Sequence, residues 1–245
     1  MFKAIVGDTK AWKSSIEAIA ALIDEGTFQI DKEGMKLRAM DPSQIALVDF
    51  ELPARAFEVF EIENPITLTI DFSELSKITK RIRTEDRIEL NYDGHNLKLI
   101  FQGQTKREFN LGVLESTTTA TKEPNIEFTA KIKFGSTIFK EALKDAELVS
   151  NHVALSITNE GFSIESRGDT GSVNISFPEE NILAKEVKEN ARAVFSLTHL
   201  DNLLKAADPG SIIVLSLRTD APLRLEYAIG EGRVVYYLAP RIETV

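Results

Sequence analysis

An α+β fold of two similar domains, each rich in antiparallel strands and carrying two helices, is what this sequence predicts. Three observations carry that expectation. First, the chain reads as one unit written twice. Phe2 opens FKAI and Phe128 opens FTAKI, the turn Glu33-Gly34 returns as Glu160-Gly161, and Pro53 and Pro178 each close a strand-like run. Ser73-Glu74-Leu75 answers Thr198-His199-Leu200, and all these pairs are offset by 125 to 127 residues. Second, short runs of period-two alternation outnumber helical stretches in both halves. Third, Gly112–Asn125 (GVLESTTTATKEPN) has four Thr, a Ser and a Pro with little periodicity, the composition of an interdomain linker. The expected division is therefore 1–111, a connecting linker 112–125, and 126–245. A duplicated scaffold of this size favours function through shape and surface over a single catalytic pocket.

The elements follow in order. Phe2–Val6 is a strand, and Thr9–Asp24 a helix for which Asp8 or Thr9 can cap the first N–H groups. Thr27–Ile30, Met35–Ala39, Ile45–Leu52 and Thr67–Asp71 alternate as strands. Phe72–Arg83 is a second helix. Arg87–Tyr92, Leu97–Gln102 and Thr105–Leu111 form a meander, with Asp93-Gly94 as a hairpin turn. In the second half the order is strand Ile126–Lys133, helix Ser136–Ser150, and strands Val153–Thr158, Phe162–Ser166, Ser172–Phe177 and Ala193–Ser196. Helix Thr198–Ala207 and strands Ile212–Arg218, Leu223–Ile229 and Val234–Leu238 complete it. Strand–helix–strands recurs within each half, so the chain holds four copies of one small motif.

Apolar stripes at helical spacing set the buried faces. They are Trp12, Ile16, Ile19 and Ile23 in the first helix and Leu75, Ile78 and Ile82 in the second. The third helix has Ile138, Ala142, Ala146 and Val149, and the fourth Leu200, Leu203 and Leu204. Opposite them stand Lys10 and Lys13, then Lys77, Lys80 and Arg81, then Lys140 and Lys144, then Lys205. A lone outward lysine is usually only a solvated surface group. Four helices with the same arrangement read as one basic layer, softened by Glu17, Asp145 and Glu147. The net charge of −9 argues against a generally nucleic-acid-binding surface. It leaves room for a local one, because the acids concentrate elsewhere, as at Glu58, Glu61, Glu63 and Glu179-Glu180.

Other classes are excluded by what is missing. Zero cysteines remove disulfide and thiolate chemistry. No apolar run approaches the ~20 residues of a membrane helix. His95, His152 and His199 share no ligand spacing, and no metal-protease, phosphate-loop or nucleophile-elbow pattern occurs. Asp169–Gly171 (DTG) has the triplet of aspartic proteases, yet lies between two short strands where it makes a natural turn. No catalytic residue, metal or cofactor is expected.

Three stretches then carry a resemblance: Leu37–Ser43 (LRAMDPS) running into Ile45–Phe50 (IALVDF), Leu22–Phe28 (LIDEGTF), and Tyr236–Glu243 (YYLAPRIE). On these the whole chain resembles the sliding DNA clamps of the proliferating cell nuclear antigen family, most of all their archaeal members. The resemblance implies a ring of three subunits with sheets outside and helices inside, encircling duplex DNA without reading its sequence. It implies a role in replication and repair, in the cytoplasm at the nucleoid for the archaeal type or in the nucleus of a eukaryote. The inner face would be Lys10, Lys13, Lys77, Lys80, Arg81, Lys140, Lys144 and Lys205. Short peptides of polymerase, clamp loader, flap endonuclease and ligase would dock in a groove. Its matching residues are Met40, Gln44, Ile45 and Leu47 with Pro222, Tyr237, Leu238, Ala239, Pro240 and Ile242. Family linkers wall this groove with apolar side chains, whereas Ser116–Lys122 is almost wholly polar. Self-association, as a homotrimer or a mixed ring, would join strand edges 105–111 and 172–177 through Lys106, Arg107, Phe109, Val173, Ile175 and Phe177. Glu179-Glu180 would meet the basic pair Lys106-Arg107.

Overall fold

Period-two alternation becomes strands through most of the computed structural model, which describes residues 1–115, 121–169 and 171–241. The first half holds β1 (Phe2–Val6), α1 (Thr9–Ala20), β2 (Glu25–Asp31), β3 (Gly34–Met40), β4 (Ala46–Pro53), β5 (Phe57–Ile62), β6 (Ile66–Asp71), α2 (Phe72–Thr79), β7 (Arg87–Tyr92), β8 (Asn96–Gln102) and β9 (Lys106–Gly112). The second holds β10 (Ala130–Gly135), α3 (Ser136–Glu147), β11 (His152–Thr158), β12 (Gly161–Gly168), β13 (Gly171–Phe177), β14 (Ile182–Val187), β15 (Ala191–Ser196), α4 (Leu197–Leu204), β16 (Ile212–Leu217), β17 (Leu223–Ile229) and β18 (Gly232–Leu238).

Two units emerge, each drawing a short segment from the far end of the chain. Unit 1 is Met1–Pro42, Val48–Lys122 and Ala228–Val234; unit 2 is Ser43–Leu47, Glu123–Tyr227 and Val235–Val245. Unit 1 has the sheet β5-β1-β7-β8-β9 and the strand order β4-β3-β2-β6, with α1 and α2 side by side. Unit 2 has β13-β12-β11-β15 and the order β14-β10-β16-β17-β18, with α3 beside α4. Neighbouring strands run antiparallel, as in β2 with β3 and β11 with β12.

The cores are apolar and aromatic. In unit 1, Phe28 meets Phe72 edge-on at 5.4 Å between centroids, and Trp12, Ile16, Ile19 and Ile23 of the α1 region are all buried. In unit 2, Phe134 stacks on Phe162 at 5.2 Å, and Phe139 meets Phe134 edge-on at 5.1 Å. Such ring pairs contribute roughly 0.5–1.5 kcal/mol beyond their area. The repeated turn is real at the backbone level: Gly34 and Gly161 have φ of +143° and +151°. Gly34 is also crowded, since a Cβ there would stand 2.2 Å from the Leu52 carbonyl oxygen.

Several expectations shift. Strands β5 and β14 fall outside the runs that alternation predicts; they are repeat equivalents, each following a short 3-10 turn. Both end their strand orders, and FEVFEI and ILAKEV, each apolar at four of six positions, break period-two alternation around exposed charges (Glu58 and Glu61; Glu186). The strand expected from Ile126 begins only at Ala130. Ile126 and Phe128 instead pack from an irregular segment onto Leu47, Val235 and Tyr237. The regular helices are shorter than expected, because their last turns tighten: the Arg81 N–H donates to the Ile78 carbonyl at 2.9 Å, an i−3 bond. In α3 the fully buried stripe is Phe139, Ala142, Leu143 and Ala146, while Ile138 and Val149 are half-buried.

Candidate nucleic-acid interface and partner groove

Helix capping differs between the units. Asp8 accepts from the N–H groups of Lys10 and Ala11 at 2.9 and 3.0 Å, and Asp71 accepts from Glu74 N–H at 2.9 Å. The residues before α3 and α4, Gly135 and Ser196, supply no side-chain cap. In unit 1, Lys10, Lys13, Lys77, Lys80 and Arg81 are all exposed. Lys77 pairs with Glu74 at 2.6 Å, whose hydrogen bond and charge raise its pKa and keep it protonated. Lys13 and Lys80 flank a small notch of about 80 Å³ between α1 and α2, with Ile16, Glu17, Ser76 and Thr79 in its wall.

In unit 2 the cations are more occupied. Lys140 is half-buried and donates its Nζ to the Ala207 carbonyl at 2.6 Å, so it ties α3 to the end of the α4 region. Lys144 pairs with Glu141 at 2.8 Å, and that hydrogen bond raises its pKa. Lys205 is exposed. Asp201 has its pKa raised, first by burial and then by the neighbouring Glu147 charge, against the pull of Lys144.

Unit 2 carries most of the expected groove residues. Gln44 is exposed with φ +59°, a left-handed backbone that only a few non-glycine residues adopt. Its neighbour Ile45 is 37% exposed, and the Ile45 carbonyl accepts from Ala239 N–H at 2.8 Å. That bond brings 44–47 to the chain leaving β18, where Ala239 and Pro240 are half-buried. Leu47 and Tyr237 form the apolar floor with Val235. Leu238 points away from Tyr237 along the strand and is 1% exposed, so its side chain belongs to the core. Pro222 is half-buried in the turn before β17. Met40, at the end of β3 in unit 1, is 40% exposed. Ile242 and the linker residues 116–120 lie outside the described residues.

The floor also holds a polar contact that no motif announces. The Tyr237 hydroxyl donates to Glu123 Oε1 at 2.7 Å. Burial and then this bond push the phenol up to about 12, against the opposing charge of Arg224. The apolar pair Ile126 and Phe128 just after Pro124 is the one sequence signal that chain returns here to cover an apolar patch.

The expected seam strands are both sheet edges, β9 in unit 1 and β13 in unit 2. Their side chains divide. Val173 and Ile175 are half-buried, and Phe109 leans on Phe101 at 5.2 Å. Phe177 is buried against Phe162 at 4.7 Å. Arg107 is turned into its own unit: its guanidinium pairs with Asp86, donates to the Arg81 carbonyl at 2.8 Å and lies over the Phe101 ring at 5.5 Å. Lys106 pairs with Glu108 of the same strand at 2.5 Å. The basic pair expected to meet Glu179-Glu180 is thus satisfied within unit 1. Asp169 is exposed in its turn, and Thr170 lies outside the described residues.

Comparison with known proteins decides the lineage. Residues 1–115 match the model of the proliferating cell nuclear antigen N-terminal domain, and 122–242 that of the C-terminal domain. The chain belongs to the proliferating cell nuclear antigen (PCNA) family. Among its relatives is the DNA polymerase sliding clamp of Thermococcus gammatolerans, 33% identical over 246 residues and covering 99% of each chain. PCNA from Thermococcus kodakaraensis superposes with a TM-score of 0.94 at 26% identity, over 98% of this chain and 100% of that one. A. fulgidus PCNA with the C-terminal region of FEN-1 bound superposes with a TM-score of 0.92 at 31% identity, covering both chains fully. PCNA proteins are processivity factors of DNA replication, and the two antiparallel helix-bearing units seen here are the PCNA clamp fold.

Proposed function

We propose that three copies of this chain close into a ring around duplex DNA and tether replication and repair enzymes to it. Family membership across both halves is the observation that carries this reading. The exposed lysines on the helices supply the attraction for phosphate, and the free edges β9 and β13 supply strands to pair between copies. Non-specific phosphate contacts alone hold DNA with dissociation constants of roughly 10⁻⁴–10⁻⁶ M. A closed ring needs no more, because escape requires opening or a DNA end, and weak contacts permit sliding.

The groove around Gln44, Ile45, Leu47, Tyr237, Ala239 and Pro240 is the proposed seat for client peptides. An exposed apolar anchor point suits one inserted side chain, while any backbone pairing would use carbonyls, since the Ala239 and Arg241 N–H groups already donate to Ile45 and Val194. The FEN-1 segment bound to A. fulgidus PCNA supports a nuclease as one client. Polymerase, ligase and clamp loader are the others proposed, and in an archaeal cell the ring works in the cytoplasm at the nucleoid. The test is binding to linear duplex DNA with free ends and with both ends blocked, without a loader. Binding that needs a free end is expected; equal binding to both would sink encirclement.

A further inference from the structure

The two helix pairs do not carry the same charge. Taking each helix with the turn after it, residues 9–23 and 72–83 of unit 1 expose Lys10, Lys13, Lys77, Lys80, Arg81 and Arg83 against Glu17 and Glu74. That is an excess of four positive charges. Residues 136–150 and 197–207 of unit 2 hold Lys140, Lys144 and Lys205 against Glu141, Asp145, Glu147 and Asp201, an excess of one negative charge. One of those three cations, Lys140, already donates to the Ala207 carbonyl, and a second, Lys144, is paired with Glu141. The geometry differs in the same direction. Between α1 and α2, Lys13 and Lys80 line one notch together with Ser76 and a single acid, Glu17, and neither lysine makes an ion pair among the described residues. On unit 2, the pKa of Asp201 is raised by burial first and then by the Glu147 charge, with Lys144 opposing, so acids share the surface with the cations there.

We propose that phosphate contact is carried by the first helix pair of each subunit, Lys13 and Lys80 foremost, and that the second helix pair faces DNA without attracting it. This rests on the clamp reading. A duplex inside the ring would then be drawn to alternate helix pairs around the hole, three attractive and three indifferent. A grip confined to half the inner face leaves the duplex room to lean, which a uniformly basic lining would resist.

The experiment compares Lys13→Gln/Lys80→Gln with Lys144→Gln/Lys205→Gln by the salt dependence of binding to free-ended linear duplex DNA. End-blocked DNA serves as the control. Each phosphate no longer neutralised lowers the slope of log K against log salt by about 0.9, which is about 3.5-fold in affinity between 50 and 200 mM salt. The unit 1 pair is expected to lower the slope by at least twice as much as the unit 2 pair. Glu147→Gln/Asp201→Asn should raise it, by letting the second face join. Equal effects of the two lysine pairs, or no gain from neutralising the acids, would overturn the asymmetry. Equal binding of the unaltered protein to blocked and free ends would instead overturn encirclement, and the variants would still rank the two faces.

Discussion

Removing the Arg107 guanidinium should destabilise unit 1 far more than a surface substitution on an edge strand. The side chain of Asp86 is 1% exposed and that of Arg107 19%. Asp86 accepts from the Arg83 N–H at 2.6 Å as well as from Arg107. Deleting one partner of a buried pair costs about 3–5 kcal/mol, because the other charge is left in a poorly solvated place. Asp86 would retain the Arg83 N–H, and Arg107 is partly wet, so we place Arg107→Ala at the lower end, about 3 kcal/mol. In a chain of this size that corresponds to a fall in Tm of about 6–12 °C. Urea denaturation followed by the fluorescence of Trp12, the single tryptophan, reads unit 1 directly. Acid adds a second arm. Burial alone would raise the Asp86 pKa, but the Arg83 N–H, the hydrogen bond from Arg107 and its charge outweigh it, and the carboxyl lies below its ordinary 3.8. With the folded pKa depressed, its stabilisation is present above about pH 4 and lost as pH falls through the folded value. In Arg107→Ala burial has less opposing it, so the loss should begin at higher pH. Asp86→Ala combined with Arg107→Ala should recover part of the deficit. A single-variant cost under about 1 kcal/mol, or an unmoved acid transition, would refute the reasoning.

The other expectations follow from single contacts. Gly34→Ala should cost roughly 1–3 kcal/mol by denaturant titration, from strained backbone alone and more from the approach to Leu52, whereas Gly161→Ala, with 3.8 Å to its nearest neighbour, should cost less; equal costs would contradict the crowding argument. Ile45→Ala should weaken binding of a FEN-1 C-terminal peptide by about tenfold or more in calorimetry if Ile45 is the anchor, with Tm unchanged because Ile45 is 37% exposed. Tyr227→Phe removes a hydroxyl that donates to the Leu203 carbonyl at 2.8 Å, and should cost about 1–2 kcal/mol together with faster hydrogen exchange in α4. Tyr237 has a raised folded pKa, so the stability it contributes is whole below about pH 10 and is lost as pH rises towards about 12; ultraviolet titration should show a late step there, ahead of the fully buried Tyr236, which is raised further, and Tyr237→Phe should remove the earlier of the two.

The sequence is most informative where a constraint is local. The α1 stripe of Trp12, Ile16, Ile19 and Ile23 is buried as its spacing requires, Asp8 caps that helix, and the repeated Glu-Gly turns keep their positive φ. It is least informative where partners come from far along the chain. Nothing local in Lys106-Arg107 shows that one residue turns to Asp86 and the other to Glu108. Strands β5 and β14 are hard to read because their apolar residues, such as Phe57, Val59 and Phe60, do not alternate, an irregularity that an edge strand tolerates. In α3, small Ala142 and Ala146 fit two neighbouring stripes equally well, and only the aromatic cluster of Phe134 and Phe162 selects the one with Phe139. The helix cations are legible as residues, but not that Glu74 and Glu141 pair with two of them and the Ala207 carbonyl accepts from a third. The groove is legible as a motif, but not the Tyr237–Glu123 bond at its floor.

The inward turn of Arg107 and the Lys106–Glu108 pair leave neither cation of that basic pair on the β9 edge free for a neighbouring copy. In the proposed ring, closure along that edge would rest on backbone pairing and on half-buried Phe109, Val173 and Ile175, which salt hardly screens, while the hold on DNA would rest on exposed ammonium groups, which salt screens strongly. Ionic strength would then be a dial that acts on friction and not on enclosure: if the proposed ring forms, raising it should let the ring glide more freely well before it comes apart.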